Sequence, residues 1–174
     1  MSVEAVPAPG ANPGAEVVAL LIERGLTIAV AESLTGGLLV AELIRTPGAS
    51  AVVLGGVVAY NTALKHSVLG VDAELLAARG AVDPEVAQQM ATGVRSALAV
   101  GGRPADIGIS TTGVAGPDPQ DGQPVGTVYL GFAVGTDVAN VALQLSGSRD
   151  GIRNAVVSES LTELARQLTK LPSE

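Results

Sequence analysis

Residues 26–44, LTIAVAESLTGGLLVAELI, change their hydrophobic rhythm once. Leu26 to Ala31 is an apolar run of strand length, and after Glu-Ser-Leu-Thr-Gly-Gly the apolar positions return as Leu38, Leu39, Leu43 and Ile44, the spacing of one helix face. A strand that passes through a glycine turn into a helix needs helices against its sheet to bury both partners. That transition places the chain among α/β folds.

The flanking residues repeat the pattern. Glu16, Val17, Leu20, Leu21 and Arg24 keep helical spacing up to Gly25, a natural helix end. Ala51 to Tyr60 reads as a β-branched strand, and Asn61 to about Leu69 as a turn entering a short helix. Asp83-Pro84-Glu85 supplies an N-cap, a first-turn proline and an acid ahead of Val86, Met90, Val94 and Leu98, with Gly101-Gly102 beyond. Asp106 to Thr112 alternates like a strand and opens into the long loop 113–124, a length that often serves a function. Val125–Val134 and Val138–Leu145, joined at Gly135-Thr136-Asp137, predict a hairpin with Asn140 and Gln144 on its wet face. A last helix runs from near Asp150 to before Pro172. The expected architecture is a three-layer α/β/α domain over residues 15–172 around a mixed, mostly parallel sheet of about five strands. Met1 to about Gly14, rich in proline and glycine, reads as a disordered tail.

Composition narrows the chemistry. A net charge of -7 argues against a nucleic-acid partner, and the absence of cysteine removes thiolate metal sites and thiol nucleophiles. No apolar stretch approaches the roughly 20 residues of a membrane helix, and the first residues lack a signal peptide's basic and apolar regions. A cytoplasmic protein without membrane attachment is the expectation.

Three polar, glycine-bearing stretches fall at predicted strand ends: 33–37, 60–65 and 112–117. In open α/β sheets such ends converge on a ligand crevice. Ser33 and Thr35 can cap the following helix or face a ligand; positions 36 and 38 are Gly and Leu, so neither hydroxyl belongs to a capping box. Lys65, one of two lysines, is either a solvated helix residue or a desolvated base for a serine. His66 is the rival base. Thr112, Gly113, Ala115 and Gly116 permit close backbone approach to a ligand or form an ordinary turn. Arg149 and Arg153 can grip a phosphate or pair with Asp150. Asp118 to Asp121 lack a metal-loop pattern, so no metal is assigned.

Taken in order, Ala31-Glu-Ser-Leu-Thr-Gly-Gly37, Gly56-Val-Val-Ala-Tyr-Asn61 with Lys65 and Leu69-Gly-Val71, Gly80-Ala-Val82, Thr112-Gly-Val-Ala-Gly-Pro117, Pro124-Val-Gly-Thr-Val128 and Ser146-Gly-Ser-Arg149-Asp150 resemble the CinA C-terminal domain family, the nicotinamide-nucleotide amidases. The resemblance covers about residues 16–170 and is to the stand-alone form. It implies an anticodon-binding-domain-like fold and a cofactor-free hydrolysis of nicotinamide mononucleotide to nicotinate mononucleotide and ammonia in NAD salvage. It further implies Ser33 as nucleophile, Lys65 as base and Tyr60 as a group that orients or shares the proton. Thr35, Gly36 and Gly37 are then placed at the oxyanion, with Thr35 also the cap of the helix. Thr112, Gly113, Ala115, Gly116 and Arg149 are placed on the nucleotide, and which of the two glycine turns takes the phosphate and which the amide is left open by the sequence. A homo-oligomer, a dimer first, is expected. Leu34 stands where many relatives carry Cys, and Ser148 where an acid commonly precedes the arginine. The competing expectations are a non-catalytic nucleotide-binding regulatory module and a serine amidase for another small amide.

Overall fold

The computed structural model describes residues 13–171. The predicted tail lies outside the described residues except for Pro13 and Gly14, which open the first helix. In chain order the elements are α1 (Pro13–Arg24), β1 (Ile28–Glu32), α2 (Leu38–Ile44), β2 (Val53–Val58), α3 (Thr62–Ser67), α4 (Ala73–Arg79), α5 (Pro84–Ala97), β3 (Ile107–Gly113), β4 (Thr127–Val134), β5 (Asp137–Gln144) and α6 (Arg149–Lys170). The strands form one sheet in the order β2-β1-β3-β4-β5. β1 pairs in parallel with β2 and β3, while β3–β4 and β4–β5 are antiparallel, so β1, β2, β3 and β5 share one direction.

Two-residue periodicity divides β1 between two cores. Ile28 and Val30 join Val17, Leu21, Leu39, Leu43, Ile152 and Leu161 beneath α1, α2 and α6. Ala29 and Ala31 face the opposite core with Ala59, Leu69, Val86, Met90 and Val94. On that second face small residues let α5 lie directly on the sheet: a Cβ at Gly108 would fall 1.8 Å from the Ala91 carbonyl oxygen, and one at Gly131 2.1 Å from that of Ala87. Ser110 donates to the Ala87 carbonyl at 2.6 Å, completing the seam.

Two elements depart from the sequence expectation. α4, between Gly70 and Asp83, is an additional helix, capped by Asp72, whose side chain accepts from the Glu74 amide at 2.9 Å. The hairpin turn is Gly135-Thr136 alone, because Asp137 already pairs with Val134. Among the described residues no helix is long and apolar enough to cross a membrane.

Candidate active site

Because β1, β2 and β3 run the same way, their C-terminal ends deliver Ser33, Tyr60 and Thr112 to one edge of the sheet. The cleft there encloses about 470 Å³, part of it open solvent. Ser33, Tyr60, Lys65, Thr112, Gly113, Ala115, Gly116 and Arg149 all line it.

Alternation along β1 decides what Ser33 meets. Glu32 shares the face of Ile28 and Val30 and turns toward α2; Ser33 follows Ala29 and Ala31 toward α3. There Lys65, fully buried, places Nζ 3.0 Å from Ser33 Oγ and donates to the Ala59 carbonyl at 2.8 Å. α3 begins at a defined point because the Asn61 side chain accepts from the Ala63 amide at 2.9 Å, which aims position 65 inward. Burial pushes the Lys65 ammonium down from 10.5 to about 8, an effect partly opposed by the negative charge of Asp121. At pH 7 about one Lys65 in ten is then neutral, against about one in three thousand for an ordinary lysine. A solvated surface lysine is excluded. His66 is exposed, and its Nδ1 pairs with the Val71 carbonyl at 2.7 Å, away from Ser33.

The turn after Ser33 differs from expectation in three respects. Thr35 does not cap α2: its hydroxyl pairs with that of Thr111 at 2.7 Å, and the cap is the buried Glu32 carboxylate, which accepts from the Gly37, Leu39 and Val40 amides at 3.0, 3.0 and 2.9 Å. Gly36 and Gly37 do not present free amides, since Gly36 N–H donates to the Ser33 carbonyl at 3.1 Å and Gly37 N–H to Glu32. The Thr35 hydroxyl and the Gly36 and Gly37 amides therefore belong to the turn's scaffold, and of this turn Ser33 and Leu34 line the cleft. Among the turn's amides, those of Leu34 and Thr35 find no acceptor within the described residues.

Tyr60 is 61% exposed and its hydroxyl accepts from Arg149 Nη2 at 3.0 Å, which places it at the mouth, bonded to the arginine and not to the Ser33–Lys65 pair. Arg149 Nη1 also donates to the Gly116 carbonyl. Arg149 thus faces the cleft from the start of α6. Arg153, one turn on, faces the Ser33 turn instead, donating to the Leu34 and Thr35 carbonyls at 3.0 and 3.2 Å.

Ala81 and Val82 close the far wall. Thr112 Oγ1 donates to the Ala81 carbonyl at 2.6 Å, and the Asp121 carboxylate accepts from the Ala81 amide at 3.0 Å, so Asp121 holds this wall while Asp118 lines the cleft. Sequence reasoning assigned no role to Glu32, Ala81, Asp121 or Leu34. The available signal was β1 parity, which separates Glu32 from Ser33.

Fold and cleft define an α/β/α domain with a serine–lysine pair buried at the C-terminal edge of its parallel strands. The chain belongs to the CinA C-terminal domain family, whose model matches residues 11–168. A CinA-like protein from Frankia casuarinae is 48% identical over 157 residues, covering 90% of this chain and 35% of that protein. A putative competence-damage inducible protein from Geobacillus kaustophilus is 55% identical over 134 residues, 76% of this chain and 31% of its own length. The chain spans about a third of the length of these curated relatives. Among solved structures, a CinA superfamily protein from Klebsiella pneumoniae matches with a TM-score of 0.85 at 31% identity, covering 91% of this chain and 97% of that one. A competence/damage inducible protein from Agrobacterium tumefaciens matches with a TM-score of 0.83 at 31% identity, covering 98% and 100%. The five-stranded mixed sheet with helices on both faces is the fold of this superfamily.

Proposed function

We propose that the domain is an amidohydrolase that converts nicotinamide mononucleotide to nicotinate mononucleotide and ammonia. The observation that carries this reading is the 3.0 Å contact between Ser33 Oγ and a buried Lys65 whose ammonium is pushed down to about 8. A lysine so placed can take the Ser33 proton near neutral pH.

In the proposed sequence neutral Lys65 accepts that proton as Ser33 Oγ bonds to the carboxamide carbon. The carbonyl oxygen becomes an oxyanion, received by the amide of Leu34, which lines the cleft, and by that of Thr35 next to it, both without an acceptor among the described residues; each such donor is worth about 3 kcal/mol in the transition state. The Lys65 ammonium returns the proton to the amine, the C–N bond breaks and ammonia leaves a Ser33 ester. Water, deprotonated by the same lysine, then cleaves the ester to the carboxylate and restores the Ser33 hydroxyl. At the other end of the cleft Arg149 supplies the cation for the phosphate, with Tyr60 holding its guanidinium.

The test is to incubate the purified chain with nicotinamide mononucleotide and quantify ammonia and the acid product, with Ser33→Ala alongside. Equimolar products from wild type, with a loss of at least about a thousandfold in the variant, are expected. Absence of product from wild type overturns the amidase reading, and binding without turnover favours the regulatory module. Sedimentation of the same sample tests the proposed self-association.

A further inference from the structure

Arg153 is the one guanidinium, among the described residues, that grips the segment carrying Ser33. Its Nε donates to the Leu34 carbonyl at 3.0 Å and its Nη2 to the Thr35 carbonyl at 3.2 Å, while Nη1 pairs with Asp150 Oδ1 at 3.1 Å. The guanidinium also lies over Gly36, 3.5 Å from where a Cβ would stand. This contact joins residues 119 apart in sequence, so α6 is fastened to the loop between β1 and α2 through two successive peptides. The turn's other contacts are Ser33 N–H to the Thr111 carbonyl at 3.0 Å, Gly36 N–H to the Ser33 carbonyl at 3.1 Å, Leu38 N–H to the Thr35 carbonyl at 3.2 Å, Gly37 N–H to Glu32 at 3.0 Å, the Thr35–Thr111 hydroxyl pair at 2.7 Å and Lys65 on Ser33 Oγ at 3.0 Å; none of them touches the Leu34 carbonyl.

We infer that Arg153 is a positioning residue for the reaction: by holding the Leu34 and Thr35 carbonyls it fixes Ser33 against Lys65 and orients the peptide whose N–H is that of Thr35. The geometry of a trans peptide supplies the link. In such a unit the carbonyl and the N–H point in opposite directions, so a carbonyl held toward α6 keeps the Thr35 N–H turned away from α6. A cation bonded to the carbonyl also polarises that peptide and strengthens its N–H as a donor. Arg153 does not appear among the residues lining the cleft, whereas Arg149 does, so the two arginines, four residues apart on α6, divide the work. Arg149 faces the ligand space, and Arg153 faces the nucleophile from behind. Lysine cannot replace Arg153, because an ammonium lacks the planar fork that meets two carbonyls together.

The catalytic half of this inference rests on the amidase reading; the structural half does not, and the experiment separates them. In substrate-free protein, hydrogen exchange is followed at the Gly36 amide, bonded to Ser33, and at the Gly37 amide, bonded to Glu32. Arg153→Ala is expected to speed exchange at Gly36 about tenfold or more while leaving Gly37 within about twofold. Unchanged protection at Gly36 overturns the clamp whether or not the chain hydrolyses anything. With nicotinamide mononucleotide as substrate, Arg153→Ala and Arg153→Lys are expected to lower kcat by ten- to a hundredfold with KM altered by less than about threefold. Millimolar guanidinium ion is expected to restore Arg153→Ala in part, and an equal concentration of ammonium ion to restore nothing. A raised KM with kcat unchanged would make Arg153 a substrate-binding residue and contradict the inference; so would full activity in Arg153→Lys.

Discussion

Replacing Lys65 by methionine removes a proton acceptor while keeping the length of an apolar stem, and its effect on stability can be worked from the site. Holding Lys65 at about 8 instead of 10.5 disfavours the folded state by about 3.4 kcal/mol at pH 7, at about 1.4 kcal/mol for each tenfold change in proton affinity. Methionine abolishes that penalty. It also orphans the buried Ala59 carbonyl, now bonded to Nζ at 2.8 Å, which costs about 1–3 kcal/mol. Lys65→Met is therefore expected to be inactive yet, at pH 7, as stable as wild type or more stable by up to about 2 kcal/mol. The pH dependence sharpens the test. Between about 8 and 10.5 folded wild type binds fewer protons at Lys65 than the unfolded chain does, so its stability relative to the variant rises with pH; below 8 both states are protonated and the full penalty stands. Linkage gives a relative gain of about 2 kcal/mol between pH 7 and 9.5. Urea titrations of both proteins across that range, subtracted one from the other, cancel every titration they share. A difference independent of pH would refute the reasoning, as would a variant more than about 3 kcal/mol less stable at pH 7.

Three further expectations follow from named contacts. Amidase kcat/KM should rise about tenfold per pH unit below 8 and level off above it, because only neutral Lys65 accepts the Ser33 proton; a profile flat between about pH 6 and 8 would remove that role from Lys65. Glu32→Ala strips the acceptor from three amides at the start of α2 and should destabilise the domain by about 3–5 kcal/mol in urea unfolding; a loss under about 1 kcal/mol would remove Glu32 as the cap. Gly108→Ala would drive a methyl to 1.8 Å from a backbone oxygen of α5 and should cost about 1–3 kcal/mol or more by the same measurement; a neutral change would show that α5 does not rest on the sheet.

The parts of the fold that rhythm alone dictates were legible. The apolar run into Ala31, the Asp83-Pro84 helix start and the hairpin around Gly135 are each set by residues adjacent in sequence, and β1, α5 and β4–β5 form there. α4 escaped because Leu75 is its only buried side chain, too little for a periodic signal, although the Asp72 cap and Gly80 bracket it. The candidate site divides the same way. That Ser33, Lys65 and the 112–116 turn would share one crevice follows from the directions of parallel strands, which sequence patterns imply. What holds them does not. Local rules offered Thr35 as the cap because a hydroxyl lies in the turn, yet the strand's alternation carries the longer Glu32 side chain to the α2 amides and leaves Thr35 to Thr111. Arg153 meets Leu34 across 119 residues, and Tyr60 meets Arg149 across 89; no spacing rule spans such separations.

The account stands on a buried Lys65 that can be neutral beside Ser33, and this can be measured without any substrate. The chain has two lysines, Lys65 and Lys170, so a side-chain nuclear magnetic resonance titration of isotope-labelled lysine gives two signals, and Lys65→Met identifies which belongs to the site. The account predicts that the signal lost in Lys65→Met titrates with a midpoint of about 8. A midpoint near 10.5 for that signal would contradict it.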